Sequence, residues 1–312
     1  MVESARPQVV CLEEHWSDPR AGIEGMLGNP RLLDLGDLRL AAMDEAGIDI
    51  QVLSHSLWRS GINAETEVEL ASAVNDRLKD AIDDNPGRFR GFASIPMLDA
   101  QAGADELERC VTSLGFAGAM IFPICENEFL DEKRFWPFFA RAAALDVPIY
   151  IHPNRPHPTV VETYYKGYVQ EFPMLASAAW GFGFETGTCA MRLIFSRIFE
   201  TYPDLKIILG HLGEFIPWGL DRIEERLDSD RSSHFPFREY FCKHFWVTTS
   251  GFFSTPALLC TIMALGIDRV MFSVDWPMNE AGPAMKWMEA VPLAMEDKAK
   301  IYSGNAKALL KL

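Results

Sequence analysis

Residues 206–211 read Lys206-Ile207-Ile208-Leu209-Gly210-His211, an apolar run closed by a glycine and a histidine. Its apolar positions are consecutive, not alternating, which marks a strand buried on both faces, as in a parallel sheet. The pattern recurs along the chain. Before it come Val9-Val10-Cys11-Leu12, Ile50-Gln51-Val52-Leu53-Ser54, Phe89 to Ile95, Gly118-Ala119-Met120-Ile121-Phe122 and Pro148-Ile149-Tyr150-Ile151. After it come Phe245-Trp246-Val247-Thr248-Thr249 and Arg269-Val270-Met271-Phe272-Ser273.

Helical stripes separate these runs. Leu70, Ala71, Val74, Leu78, Ala81 and Ile82 share one face, and Asn85-Pro86-Gly87 stops that helix. Leu107, Cys110, Val111 and Leu114 form a second stripe closed by Gly115, and Leu193, Ile194, Ile198 and Phe199 a third closed by Tyr202-Pro203. Eight strand–helix units within a single domain spanning 1–312 predict an α/β fold, a (β/α)8 barrel. A doubly wound open sheet fits less well, because no Gly-x-Gly-x-x-Gly follows the first strand. Two connections are long, from Trp16 to about Leu35 and from Pro153 to about Pro173, the latter with Tyr164, Tyr165 and Tyr168. Such loops shape an active-site mouth or a subunit contact.

The composition excludes several functions. Among 312 residues, 29 Lys and Arg stand against 44 Asp and Glu, a formal charge of −15. That balance argues against nucleic-acid binding, which needs a basic surface, and against docking on anionic membranes. The most apolar stretch, Pro256 to Ile267, is too short to span a bilayer. No secretory signal is expected at the N-terminus. Cys11, Cys110, Cys125, Cys189, Cys242 and Cys260 are scattered, so reduced thiols in a cytoplasmic protein are expected.

In a barrel of this type, function sits at the C-terminal strand ends. There the sequence places Glu13-Glu14-His15, His55, His152, His211 and Asp275. Glu13 and His15 are two residues apart on a strand, so both point to one side. One of Glu13 and Glu14 is expected to be a solvated loop charge. Imidazoles and carboxylates without cysteine suit a catalytic divalent ion, Zn²⁺ or Mn²⁺, with positions open for water or substrate.

These motifs carry a resemblance. Leu12-Glu13-Glu14-His15, His152-Pro153, Gly210-His211-Leu212-Gly213-Glu214 and Phe272-Ser273-Val274-Asp275-Trp276-Pro277 resemble those of the amidohydrolase superfamily. The match is to its branch of metal-dependent non-oxidative decarboxylases, typified by the γ-resorcylate and dihydroxybenzoate enzymes. Asn85-Pro86-Gly87-Arg88-Phe89, Thr248-Thr249-Ser250-Gly251 and Asn305-Ala306-Lys307-Ala308-Leu309 extend the likeness over nearly the whole chain. The resemblance implies one metal ion per subunit, held by Glu13, His15, His152 and Asp275, in a homodimer or homotetramer. It places His211, paired with Glu214, beside the metal, and Arg222 near the site. Strand four ends Ile121-Phe122-Pro123, without the lysine of two-metal hydrolytic members.

The chain also departs from that branch. It has Met278 where Phe is usual after Asp275-Trp276-Pro277, and Phe122 where Asn is usual. It reads Asn154-Arg155-Pro156 in place of Arg-Asn-Pro, and Ser54-His55-Ser56-Leu57-Trp58-Arg59 in place of a small-residue segment.

The implied reaction is loss of CO2 from a small hydroxylated aromatic carboxylate. Asp275 is the first choice to protonate the carboxyl-bearing carbon, with His211 oriented by Glu214 to polarise or exchange protons. Arg222, Arg59 or Arg155 offers a cation for an anionic group. Trp16, Trp58, Phe122 and Trp276 offer walls for the ring, and core packing is the alternative for each. The rival activity is a single-metal hydrolase of a lactone, ester or amide, with Asp275 as base. A non-catalytic binding protein fits less well, because the ligand set is intact.

Overall fold

The computed structural model describes residues 6–21, 28–55, 61–229 and 234–312. Eight parallel strands lie side by side in chain order: β1 (Val10–Trp16), β2 (Ile50–His55), β3 (Phe89–Ser94), β4 (Gly118–Ile121), β5 (Pro148–Ile151), β6 (Lys206–Leu209), β7 (Phe245–Thr248) and β8 (Val270–Met271). A parallel bridge between Glu14 and Trp276, with the His15 amide donating to the Trp276 carbonyl at 2.7 Å, joins the last strand's extension to the first. This is the (β/α)8 barrel that the consecutive apolar runs predict.

A helix follows each strand and shields the barrel's outer side: α1 (Asp37–Ala46), α2 (Ala64–Asp84), α3 (Ala100–Thr112), α4 (Trp136–Leu145), α5 (Gly181–Phe195), α6 (Ile216–Ser229), α7 (Thr255–Leu265) and α8 (Ala281–Ala290). Hydrophobic burial is split into two layers. Val10, Leu12, Val52, Phe92, Met120, Tyr150, Ile208 and Met271 pack together in one. The larger lies between strands and helices and includes Cys11, Leu53, Ala71, Val74, Leu78, Leu107 and Phe139. Strands sandwiched between two apolar layers have no solvent face, which is why their sequences do not alternate.

Two details differ from the sequence reading. The third helical stripe is broken: α5 ends at Phe195, Arg197 takes a left-handed conformation (φ 62°), and a separate short helix covers Ile198–Thr201. The two long connections also carry helices of their own, Pro30–Leu33 in the first and Pro158–Tyr164 in the second. The six cysteines are all unpaired. Among the described residues no helix is long and apolar enough to cross a membrane.

Candidate active site

The first strand supplies two of the site's side chains through an irregularity. Its register against β2 slips between Cys11 and Glu14, so β1 carries a bulge at Leu12 and Glu13. A bulge breaks strict alternation. Leu12 packs in the inner layer, and Glu13 lies beside His15 with its carboxylate toward the same cluster of ligand atoms. The two bulged amides are satisfied from across the barrel seam. Ser273 Oγ accepts from Leu12 N at 3.1 Å and from Glu13 N at 2.6 Å.

Glu13, His15, His152 and Asp275 come together at the C-terminal ends of β1, β5 and β8, with one ligand atom of each within 4.8 Å of all the others. Glu13 Oε1 stands 3.2 Å from His152 Nε2 and 4.0 Å from His15 Nε2, and Asp275 Oδ1 stands 3.1 Å from His15 Nε2. Glu13 Oε1 and His15 Nε2 are buried and make no hydrogen bond. Buried polar atoms without partners are costly, so a cluster that aims them at a common point is built for a cation. Two carboxylates and two imidazoles match the donor preferences of one divalent ion.

The opposite ends of these side chains are tethered. His152 Nδ1 is 2.7 Å from the Pro153 carbonyl, which places its proton there and leaves Nε2 as the lone-pair donor. His15 Nδ1 meets Ser54 Oγ at 3.3 Å. Glu13 Oε2 accepts from the Tyr150 and Ser250 hydroxyls, and Thr248 Oγ1 supports both at 2.8 Å. A Cβ at position 210 would stand 2.7 Å from Glu13 Oε2, so a larger residue there would push the carboxylate from its place. Asp275, in a left-handed conformation (φ 70°), is held through Oδ2 by Asn279 Nδ2 at 3.0 Å. Burial opposes ionisation of Glu13, but His211, His152 and His15 outweigh it and hold its carboxyl well below the usual range.

Glu14 is no solvated loop charge. It is fully buried and takes bonds from Ser273 Oγ (3.0 Å), Val274 N (2.9 Å), Trp276 N (3.1 Å) and Gln51 Nε2 (3.3 Å). It thereby fastens the turn that carries Asp275 to the strand that carries Glu13 and His15. Burial raises its pKa to about 8, against the lowering effect of those donors. Beneath it the buried Arg39 donates to the His15 carbonyl at 2.6 Å and lies over the Trp276 ring at 4.3 Å.

After β6 the chain forms a hook in which His211, Leu212, Gly213, Glu214 and Phe215 all have positive φ, from 47° to 88°. Left-handed non-glycine residues cost about 1–2 kcal/mol each, and runs of them persist only where surroundings enforce them. Here Gly213 N bonds the Gly210 carbonyl at 2.8 Å, Thr261 Oγ1 donates to the Leu212 carbonyl at 3.1 Å, and α5 comes so near that a Cβ on Gly187 would stand 2.8 Å from the Glu214 carbonyl oxygen. The hook sets His211 Nδ1 2.8 Å from Glu214 Oε1. Burial disfavours the charged imidazole, but Glu214, Glu13 and Asp275 raise its pKa to about 10.

A cavity of about 420 Å³ opens over this cluster, lined by His15, His152, His211 and Asp275 together with Trp16, Ser17, Leu32, Phe182, Gly251 and Met278. Of the candidate ring walls, Trp16 lines it. Phe122 is half-buried and sets its ring edge-on to His152 at 5.9 Å. Trp276 is buried against Arg39 and Arg31 and does not line the cavity. Arg222 is exposed on α6 and Arg155 on the loop after β5, neither of them at the cavity. Trp58 and Arg59 lie outside the described residues. His55 is buried edge-on against Trp16 at 5.1 Å, and burial lowers its pKa to about 4, so it is neutral.

Sequence reasoning missed the supports: Tyr150, Ser250, Asn279 and Arg39. Tyr150 was in view only as an apolar strand position, and Ser250 only inside a motif without a role.

Residues 28–312 match the amidohydrolase family model. The chain belongs to the amidohydrolase family. This amidohydrolase is 39% identical to the γ-resorcylate decarboxylase of Polaromonas sp. (strain JS666 / ATCC BAA-500), the alignment covering 97% of this chain and 98% of the relative. It is 37% identical to the γ-resorcylate decarboxylase of Rhodococcus jostii (strain RHA1), with the same coverage. Among solved structures it is similar to a dihydroxybenzoic acid decarboxylase from Polaromonas sp. JS666 with bound manganese and the inhibitor 2-nitroresorcinol. The TM-score is 0.89 and the identity 35%, over 98% of this chain and 97% of that one. It is also similar to a 5-carboxyvanillate decarboxylase from Sphingomonas paucimobilis, with TM-score 0.87 and 30% identity over 98% and 99%.

Proposed function

We propose that this amidohydrolase is a metal-dependent, non-oxidative decarboxylase of a hydroxylated aromatic carboxylic acid. The observation that carries the reading is the convergence of Glu13, His15, His152 and Asp275, with two of their buried donor atoms unpaired, on the floor of a ring-sized cavity beside the His211–Glu214 pair.

Glu13, His15, His152 and Asp275 would hold a divalent ion, manganese or zinc, which would supply positive charge at the floor of the cavity for an anionic substrate. Direct loss of CO2 would leave an electron pair in an aryl orbital outside the π system. Asp275 avoids this by giving its proton to the carboxyl-bearing carbon first. The ring then passes through a dienone-like state. Its C–C bond to the carboxylate breaks, the electron pair returns to the ring, and CO2 leaves as aromaticity is restored. His211, oriented by Glu214, carries protons between the site and solvent. Trp16 walls the ring; Phe122 fixes the His152 imidazole from the side.

The whole chain, 1–312, acts as one catalytic domain. Its six unpaired thiols support a cytoplasmic setting. Trp180, Phe184 and Phe215 form an exposed cluster of rings and Trp218 is exposed on α6, and this apolar surface supports a homodimer or homotetramer.

The test is to incubate the Mn²⁺-loaded protein with hydroxybenzoates and with lactones, esters and amides. Release of CO2 is expected from the first group, with deuterium at the vacated carbon in deuterium oxide. Acid release from the second group without CO2 from the first would make the protein a hydrolase.

A further inference from the structure

The two oxygens of Glu13 meet opposite surroundings. Oε1 faces the two imidazoles of the ligand cluster and makes no hydrogen bond. Oε2 lies in a cradle of hydroxyls. Tyr150, on β5, and Ser250, two residues past the end of β7, both donate to it. Thr248 Oγ1 is 2.8 Å from the oxygen of each. All four side chains are fully buried. Gly210 closes the cradle, since a Cβ there would stand 3.1 Å from Ser250 Oγ and 3.2 Å from Tyr150 Oη.

The protons of this network run in one direction. An ionised carboxylate only accepts, so the Tyr150 and Ser250 hydroxyls each point their single proton at Oε2. Thr248 then donates to one of their oxygens, and His211 N donates to Ser250 Oγ at 3.3 Å. Hydrogen bonds to a charged acceptor are about twice as strong as neutral ones, and low dielectric strengthens them further. Turning Oε2 toward a cation would break both and strand two buried hydroxyls. Glu13 therefore presents one oxygen.

That restraint sets the room left around an ion. His15, His152 and Asp275 offer one ligand atom each, and Asp275 Oδ2 is itself held by Asn279 Nδ2 at 3.0 Å. Carboxylates can bind a divalent ion through one oxygen or through both. With one from Glu13, the chain fills four positions, and an octahedral ion such as Mn²⁺ keeps about two.

We propose that Tyr150 and Ser250, supported by Thr248, are positioning residues that hold Glu13 as a one-oxygen ligand and so keep two coordination positions open to water or substrate. This rests on the reading of Glu13, His15, His152 and Asp275 as metal ligands, and adds what limits how Glu13 binds.

The experiment counts the exchangeable waters on protein-bound Mn²⁺ by water-proton relaxation, at one ion per chain and without substrate. The wild-type count should be about two. In the double variant Tyr150→Phe, Ser250→Ala the freed Oε2 reaches the ion, and the count should fall to about one, halving the relaxation due to bound water. Tyr150→Phe alone keeps the packing of the ring and should lower the count part-way, so the test stands even where the double variant does not fold. A purely structural role would lower the melting temperature and leave the count unchanged. An unchanged count with Mn²⁺ bound, or a wild-type count of one, overturns the proposal and leaves the metal site standing. Failure of the wild type to bind Mn²⁺ removes the metal site, and the proposal with it.

Discussion

Glu13 and Glu14 are neighbours on β1, both fully buried, yet they belong to two different regions of the molecule. Glu13 shares the inner side with His15. One of its oxygens is tied by Tyr150 and Ser250, and the other is left without a hydrogen bond toward His15 and His152. Glu14 points to the seam with β8 and receives four hydrogen bonds. Burial does not distinguish them; hydrogen-bond satisfaction does. A carboxyl group with an unpaired buried oxygen is poised to bind something, and one whose oxygens are met by donors holds backbone in place.

The largest expected effect is on the unsaturated side. His152→Ala removes a donor that no neighbour can replace, and it should lose most of the bound ion and most of the turnover. Metal analysis of the purified variant decides this, and full occupancy would place the ion elsewhere. Next comes Asp275→Asn, which keeps size and one ligand oxygen but removes the acid. It should retain metal at least in part and lose roughly 10² to 10⁴ in kcat. Near-normal turnover with metal bound would move the proton to His211.

On the saturated side the effect should be indirect. Glu14→Gln replaces an acceptor oxygen with a donor facing backbone amides, so the Asp275 turn loosens. Affinity for Mn²⁺, read by titration, should fall about 10- to 100-fold while the fold persists. Unchanged affinity would show that Glu14 only stabilises the seam.

A third buried carboxylate, remote from the ligands, gives the smallest effect. Glu67 on α2 is 9% exposed and accepts from Leu98 N at 2.8 Å. Burial raises its pKa from the ordinary 4.5 to about 7. The folded state thus keeps a proton that the unfolded chain releases, and stability, full below about pH 4.5, declines as pH rises through 7. Glu67→Gln should flatten that decline, by about 1–2 kcal/mol after allowance for solvent screening, in urea midpoints measured from pH 4.5 to 8. An unaltered pH profile would show that Glu67 is solvated in both states.

The strands were legible in the sequence because burial on both faces leaves runs such as Ile207-Ile208-Leu209 that no helix surface or half-exposed strand would carry. The four residues of the candidate ligand cluster were legible because titratable side chains closed those runs. Arg222 was not legible: a helix position four residues from a charged neighbour reads alike whether it faces a site or solvent. Nor were the supports. Tyr150 is apolar by pattern, and only the geometry brings its hydroxyl to Glu13.

The sequence alone determined the barrel, the residue types at its mouth and the kind of ion they suit, because these depend on local pattern and intrinsic ligand chemistry. Which glutamate turns inward was decided by tertiary structure. A single-residue bulge in β1, its amides captured by Ser273 about 260 positions away, turns Glu13 and His15 inward together, where unbroken alternation from Val10 and Leu12 would turn Glu14 inward, and leaves Glu14 to fasten the seam. The left-handed hook that seats His211 against Glu214 arises the same way. Its conformation is unfavourable locally and is held by Thr261 and the close approach of α5, neither adjacent in the chain. Alternation and propensity are properties of neighbouring residues; bulges and hooks are enforced by distant ones.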